Sequence, residues 1–249
     1  MRLDHFLVNE GFFESRSKAQ LAIQRSCVFL NGFPVTQKSF LVNEGDEVVV
    51  QALPVSYVGI GGEKLEPAIR KYPVSEGFYA LDIGAGTGGF TDCLLQHGAG
   101  KVFAVDIGNG QLHSSLQNNP KVEAFENTDI RTFSSQSCLP GSMDIVSVDV
   151  SFISLSAILP FWRRFLKPGG LVFALLKPQF QMQQRKKIRG GIVKSDSERK
   201  KMLSEFIELA AIEDFRLEEV FPTSADGKTK NIEFMMVFSF VPQATYKHG

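Results

Sequence analysis

The first residues of this 249-residue chain that are spaced for chemistry form a glycine-rich run, Asp82-Ile83-Gly84-Ala85-Gly86-Thr87-Gly88-Gly89. Glycines between an apolar strand and a helix let a ligand approach the backbone closely. The spacing Gly84-x-Gly86-x-x-Gly89 also fits a dinucleotide fingerprint, so the loop alone does not name its ligand. Asp82, two positions before the first glycine, discriminates: its charge would repel a pyrophosphate and attract the ammonium of the methionine moiety of S-adenosylmethionine. Asp106 ends the next apolar run, where an acid can accept both ribose hydroxyls of an adenosine, a feature that nicotinamide enzymes share. Asp129, after the third run, is placed for the adenine. The expected cofactor site is Asp82, Gly84, Ala85, Gly86, Thr87, Gly88, Asp106 and Asp129, with Asp149 adjoining and S-adenosylmethionine bound.

Two further clusters stand at the ends of apolar runs, Asp149-Val150-Ser151-Phe152 and Lys177-Pro178-Gln179-Phe180. Ligand sites of parallel sheets lie beyond the carboxyl ends of the strands, so these residues face the same place. Enzymes that methylate base amino groups carry two prolines and an aromatic after the acid, and those prolines are absent here. An acid facing a lysine suits a hydroxyl acceptor instead.

The elements that must hold these residues alternate. Strands are predicted at 78–83, 101–106, 122–126, 143–149, 171–176, 216–221 and 232–241, with helices between most of them. Such alternation means an α/β fold with a mostly parallel, Rossmann-like seven-stranded sheet covered on both faces. A helix near 196–212 starts at the capping box Ser195-Asp196-Ser197-Glu198. Residues 1–56 form a separate small α+β domain, 57–63 a glycine-containing linker and 64–249 the catalytic domain. Within the small domain Leu3, Phe6 and Leu7 mark one helix. Ala19, Leu21, Ala22 and Ile23 mark a second, with Ser15 or Ser17 as its cap. Asn31-Gly32 closes a hairpin after Val28-Phe29-Leu30, and Gly45-Asp46 leads into Val48-Val49-Val50.

Composition excludes several classes. With 43% hydrophobic and 22% charged residues the chain is globular, neither fibrous nor disordered. Cys27, Cys93 and Cys138 are far apart and read as reduced, buried thiols, and the four histidines show no paired spacing, so no metal is implied. The start Met1-Arg2-Leu3-Asp4-His5 does not fit a secretory signal, and no apolar run is long enough to span a bilayer. A cytoplasmic protein is expected.

Residues 1–50 resemble the small RNA-binding module named from ribosomal protein S-four, also found in some pseudouridine synthases and tyrosyl-tRNA synthetases. The resemblance rests on Arg2-Leu3-Asp4, Ser15-Arg16-Ser17-Lys18-Ala19, Leu30-Asn31-Gly32 and Gly45-Asp46; Ser26 stands where that family has glycine. It implies RNA contacts by Arg2, Arg16 and Lys18, the last two on a helix N-terminus that offers N–H groups to phosphates. Five basic against six acidic residues in this segment would not have suggested RNA.

Nearly the whole chain resembles the TlyA family of ribosomal RNA 2′-O-methyltransferases, often labelled haemolysins, whose catalytic domain is similar to the FtsJ type. The resemblance is carried by Gly61-Gly62-Glu63-Lys64-Leu65, Asp82 to Thr91, Val105 to Leu112, Asp149 to Leu155, Lys177-Pro178-Gln179-Phe180 and Asn231-Ile232-Glu233-Phe234. It implies a catalytic tetrad of Lys64, Asp149, Lys177 and Glu233, with ribosomal RNA or ribosomal subunits as partner. On this view Lys177 orients the ribose hydroxyl and accepts its proton late, while Asp149 and Glu233 position the two lysines. Between Arg163 and Lys201 twelve basic residues face two acids, and Arg185, Lys186 and Lys187 follow the strand-five lysine, placed to hold phosphates. The sequence departs from the family at Gly59-Ile60, usually Ser-Arg, and at Gln181, usually glutamate. Two rival readings are a non-catalytic RNA-binding or ribosome-assembly factor and a membrane-perturbing haemolysin.

Overall fold

Local sequence signals build the N-terminal unit. Ser15 Oγ accepts from the Lys18 N–H at 3.3 Å and so starts the second helix. Asn31 and Gly32 take φ angles of 50° and 81°, the pair of left-handed residues that a two-residue hairpin requires. The computed structural model describes residues 1–13, 15–24, 26–51, 57–182, 192–223 and 231–242. It divides into two compact units, Met1–Ser56 and Tyr57–Gly249. The first contains α1 (Leu3–Asn9), α2 (Arg16–Gln24) and strands β1 (Val28–Leu30), β2 (Phe33–Pro34) and β3 (Val48–Val50), in the antiparallel order β2-β1-β3. Leu3, Leu7, Ala22, Ile23 and Val28 close its core.

The second unit opens at Tyr57, so residues 57–63, expected as a linker, belong to it. Tyr57 is buried, and Gly62 lies so close that an added Cβ would fall 2.3 Å from its ring. Helix α3 (Gly61–Lys71) follows, then β4 (Tyr79–Ile83), α4 (Gly89–Gln96), β5 (Lys101–Val105), α5 (Ser114–Gln117), β6 (Val122–Phe125) and β7 (Met143–Val148). The chain continues through α6 (Leu159–Trp162), β8 (Leu166–Leu176), α7 (Pro178–Met182), α8 (Asp196–Ile212), β9 (Phe215–Pro222) and β10 (Phe234–Phe240). All seven expected strands are present, and Ser195 caps α8 by accepting from the Glu198 N–H.

The sheet order is β6-β5-β4-β7-β8-β10-β9. Pairs from β6 to β8 are parallel; β10 runs antiparallel to both its neighbours. The runs Leu171–Leu176 and Phe234–Phe240 are almost wholly apolar because both sheet faces are covered. One face packs on Leu65 and Ile69 of α3 and Phe90 and Leu94 of α4. The other packs on Trp162 of α6 and Phe206 and Ala210 of α8. The strand order reverses between β4 and β7, and a crevice opens there beyond their carboxyl ends. Among the described residues no helix is long and apolar enough to cross a membrane.

Candidate active site

A cleft of about 520 Å³ occupies this crevice. Its floor is the turn after β4. Gly84 sits at φ 81°, and a Cβ there would fall 2.7 Å from the Asp149 carbonyl oxygen, so the position excludes a side chain twice over. Over Gly86 the space is open, the nearest atom to an added Cβ being 3.9 Å away. Gly84, Ala85, Gly86 and Thr87 line the cleft. Gly88 does not: it faces Leu112 and Leu116 and begins α4 in the left-handed conformation.

Asp82, expected near the cofactor's ammonium, lies beneath the floor and is not part of the cleft wall. Its side chain is fully buried, accepting from Thr91 Oγ1 at 2.6 Å and Ser147 Oγ at 2.8 Å. Burial pushes its carboxyl up to about 6 despite these bonds. Its influence on a ligand is therefore that of a charge under the loop.

Asp106 lines the cleft and accepts from two backbone N–H groups, Gly86 at 2.7 Å and Gly108 at 2.6 Å. A carboxylate has about four acceptor sites, so two remain for ribose hydroxyls. Asp129 also lines the cleft, but Arg131 grips it through its backbone N–H, its Nε and its Nη2. Those bonds hold its carboxyl below the usual carboxylate range. They also use its acceptor sites, so an adenine amine must share or displace Arg131. Sequence reasoning missed Arg131 of the cleft wall, and it quoted Gln111 and Phe152 within motifs without giving either a role. The strand-end acid with an aromatic three residues on was a legible signal for Phe152; Arg131 had none beyond its spacing from Asp129.

The four tetrad residues form two ion pairs. Lys177 Nζ stands 2.6 Å from Asp149 Oδ1 and donates to Ser151 Oγ at 3.1 Å. The Asp149 contact is an ion pair without hydrogen-bond geometry, so among the described residues Ser151 is the acceptor of the hydrogen bond that Lys177 donates. Lys64 Nζ donates to Glu233 Oε2 at 2.7 Å. Both Asp149 and Lys177 line the cleft beside the loop, whereas Lys64 and Glu233 do not. Lys64 comes from α3 and Glu233 from the residue preceding β10, whose backbone carbonyl is held by Thr223 at the end of β9. Phe152 is 81% exposed at the rim, with φ 66°, a strained conformation for an aromatic residue. Its ring lies 5.1 Å from that of Phe180, and Lys177 Nζ is 6.0 Å from the Phe180 centroid. Gln181 accepts from Ser154, tying α7 to the loop after β7. Gly59 approaches Thr87 of the cofactor loop so closely that a Cβ would fall 2.6 Å from its Oγ1.

Of the residues expected to bind RNA, Arg185, Lys186 and Lys187 lie outside the described residues. Around them the basic stripe is less charged than its sequence suggests. Arg163 pairs with Glu213 and Asp214, Lys167 with Asp144, and Lys200 with Asp196. Arg199 is buried and donates to the Val193 carbonyl. A count within the segment misses the acids that the fold brings from elsewhere. In the first unit, Arg2 and Arg16 both bind Asp4, and Lys18 lies in the first turn of α2.

The site fits S-adenosylmethionine: a carboxylate for the ribose, apolar walls from Ile83, Val105, Ile130 and Ile158, and an open backbone turn between them. Fold and site together define an S-adenosylmethionine-dependent methyltransferase of the open α/β class. The chain belongs to the FtsJ-like methyltransferase family, which residues 57–240 match, and residues 1–48 match the S4 domain. It is 40% identical over 242 residues to Hemolysin A of Brachyspira hyodysenteriae, spanning 96% of this chain and 99% of that one. It is 35% identical over 194 residues to the 16S/23S rRNA (cytidine-2′-O)-methyltransferase TlyA of Mycobacterium tuberculosis, 77% of this chain and 72% of that one. With the 23S rRNA (cytidine-2′-O)-methyltransferase TlyA of Campylobacter jejuni it shares 33% identity over 259 residues, 96% of this chain and 99% of that one.

Proposed function

We propose that this enzyme methylates the 2′-hydroxyl of a cytidine ribose in ribosomal RNA, and that large-subunit RNA is its substrate. The observation that carries the chemistry is the Lys177–Asp149 pair, 2.6 Å apart on the wall of the cofactor cleft. When bound, S-adenosylmethionine would supply its methyl group to an oxygen nucleophile and leave as S-adenosylhomocysteine, the electron pair of the broken S–CH3 bond staying on sulfur. Lys177 orients that hydroxyl, and its ion pair with Asp149 and its hydrogen bond to Ser151 fix the direction from which it does so. Lys177 can take the oxygen's proton only as a neutral amine, so it first releases one of its own protons to solvent and then receives the hydroxyl's proton on its lone pair. Lys64 and Glu233 neutralise one another next to α3 and hold the neighbouring end of β10. Phe152 offers the target base an exposed face to stack on, worth about 1–3 kcal/mol for such contacts.

The choice of large-subunit RNA is supported by coverage. The chain aligns with 99% of the relative that acts on 23S RNA and with 72% of the one that acts on both RNAs. Methyl transfer from labelled S-adenosylmethionine to isolated large and small ribosomal subunits tests this, with label expected in the large subunit and at a ribose. Lys177→Ala should lower that transfer at least about 100-fold while S-adenosylhomocysteine still binds within about twofold. An active Lys177→Ala enzyme, or label on a base, defeats the reading.

A further inference from the structure

The Asp4 carboxylate is wholly buried, yet its partners are surface arginines. Arg2 donates through Nε at 3.0 Å and Nη2 at 3.3 Å, Arg16 through Nη2 at 3.0 Å and Gln20 through Nε2 at 2.9 Å. The arginine side chains remain 44% and 52% exposed. Burial would push the Asp4 carboxyl up, but the bonds from Arg2, Arg16 and Gln20 outweigh it and hold it well below the usual carboxylate range.

Stability alone does not explain this cluster. Burying a charge among cations is often no better than an apolar packing of the same volume, and neither arginine needs a carboxylate to remain hydrated. What the arrangement provides is orientation. One acid on α1 joins a guanidinium that precedes α1 to another in the first turn of α2, and offsets the repulsion between them. Two forks held by one carboxylate, each still about half exposed, match the oxygens of a phosphodiester, and little side-chain freedom is left to lose on binding.

We propose that Asp4 is a positioning residue for RNA: it holds Arg2 and Arg16 as a preformed pair that takes one backbone phosphate between them. This rests on the reading of the N-terminal unit as RNA-binding, drawn from its S4 match. The proposal and simple charge have opposite signs. Asp4→Asn removes a negative charge beside RNA, which by Coulomb attraction alone tightens binding and leaves the salt dependence no shallower. Loss of positioning weakens it.

The test uses the full-length chain, transcribed large-subunit ribosomal RNA and filter binding across a salt series. Asp4→Asn is expected to weaken binding about tenfold and to lower the slope of log K against log salt by about 0.7–0.9, the signature of one lost phosphate contact. The KM for RNA should rise by the same factor with kcat at saturating RNA unchanged. Arg16→Lys keeps the charge at an exposed position and Asp4 in place; it should also lose affinity several-fold, so the proposal does not depend on the folding of Asp4→Asn. Unchanged or tighter binding by Asp4→Asn, or Arg16→Lys indistinguishable from the parent, overturns it. If instead the double change Arg2→Gln with Arg16→Gln leaves RNA affinity intact, the underlying reading of this unit fails as well.

Discussion

Asp82 carries an energetic cost that its surroundings do not remove. Burial, with a smaller contribution from the Asp149 charge, pushes its carboxyl up to about 6, against the bonds from Thr91 and Ser147. In the unfolded chain the same group ionises near 3.9. The folded state therefore holds the proton more tightly. Stability from this group is fully present below about pH 4 and is lost as pH rises through 6, which costs roughly 3 kcal/mol at neutral pH. The cost fits the proposed function, in which a negative charge beneath the loop favours a cationic cofactor. Asp82→Asn keeps both partners, since an amide can accept from one hydroxyl and donate to the other. Denaturant unfolding at pH 8 should show the variant more stable by about 1–3 kcal/mol, the gain vanishing below about pH 4. Calorimetry should show weaker S-adenosylmethionine binding. A variant no more stable at pH 8 would mean that the acid is ionised in the fold at no cost.

Helix α2 ends in a turn whose bonds run from the Cys27 N–H to the Ala22 carbonyl and from the Ser26 N–H to the Ile23 carbonyl. This pattern places Ser26 where a left-handed residue is needed, and it adopts φ 57°. The sequence marked Ser26 as a departure from glycine; the structure shows that the left-handed turn forms anyway, with serine bearing the strain. Ser26→Gly should stabilise the first unit by about 1 kcal/mol, raising its thermal midpoint by roughly 4–8 °C. Circular dichroism during heating reads this directly, and an unchanged midpoint would show the turn to be unstrained. Local features of this kind were legible in advance because neighbouring residues decide them: the Asn31-Gly32 hairpin, the Ser195 cap and the seven apolar strands. The direction in which Asp82 points was not, because Ser147 reaches it from 65 residues away. Nor was the capture of Asp129 by Arg131, which depends on how the loop after β6 turns. The tetrad became legible through its resemblance to a family; no spacing in the chain connects Lys64 with Glu233, 169 residues apart.

A net charge of zero conceals how the molecule distributes its charges. Acids distant in sequence, among them Asp144, Glu213 and Asp214, cancel part of the basic run after Arg163. The apolar cores divide just as unevenly. The 56 residues of the first unit close over one small cluster, whereas the second carries a cluster on each face of its sheet. A core the size of the first rarely supplies more than about 3–5 kcal/mol. Every residue lining the cofactor cleft belongs to the second unit. Heating the full chain should therefore give two transitions, the lower one moved by Ser26→Gly. S-adenosylhomocysteine at 100 times its Kd should stabilise the unit that binds it by about 2.7 kcal/mol, raising the upper midpoint by roughly 5–10 °C. Differential scanning calorimetry separates the two effects. A single transition that both the ligand and Ser26→Gly shift would show that the chain unfolds as one cooperative body, and division into two stability units would then have to be abandoned.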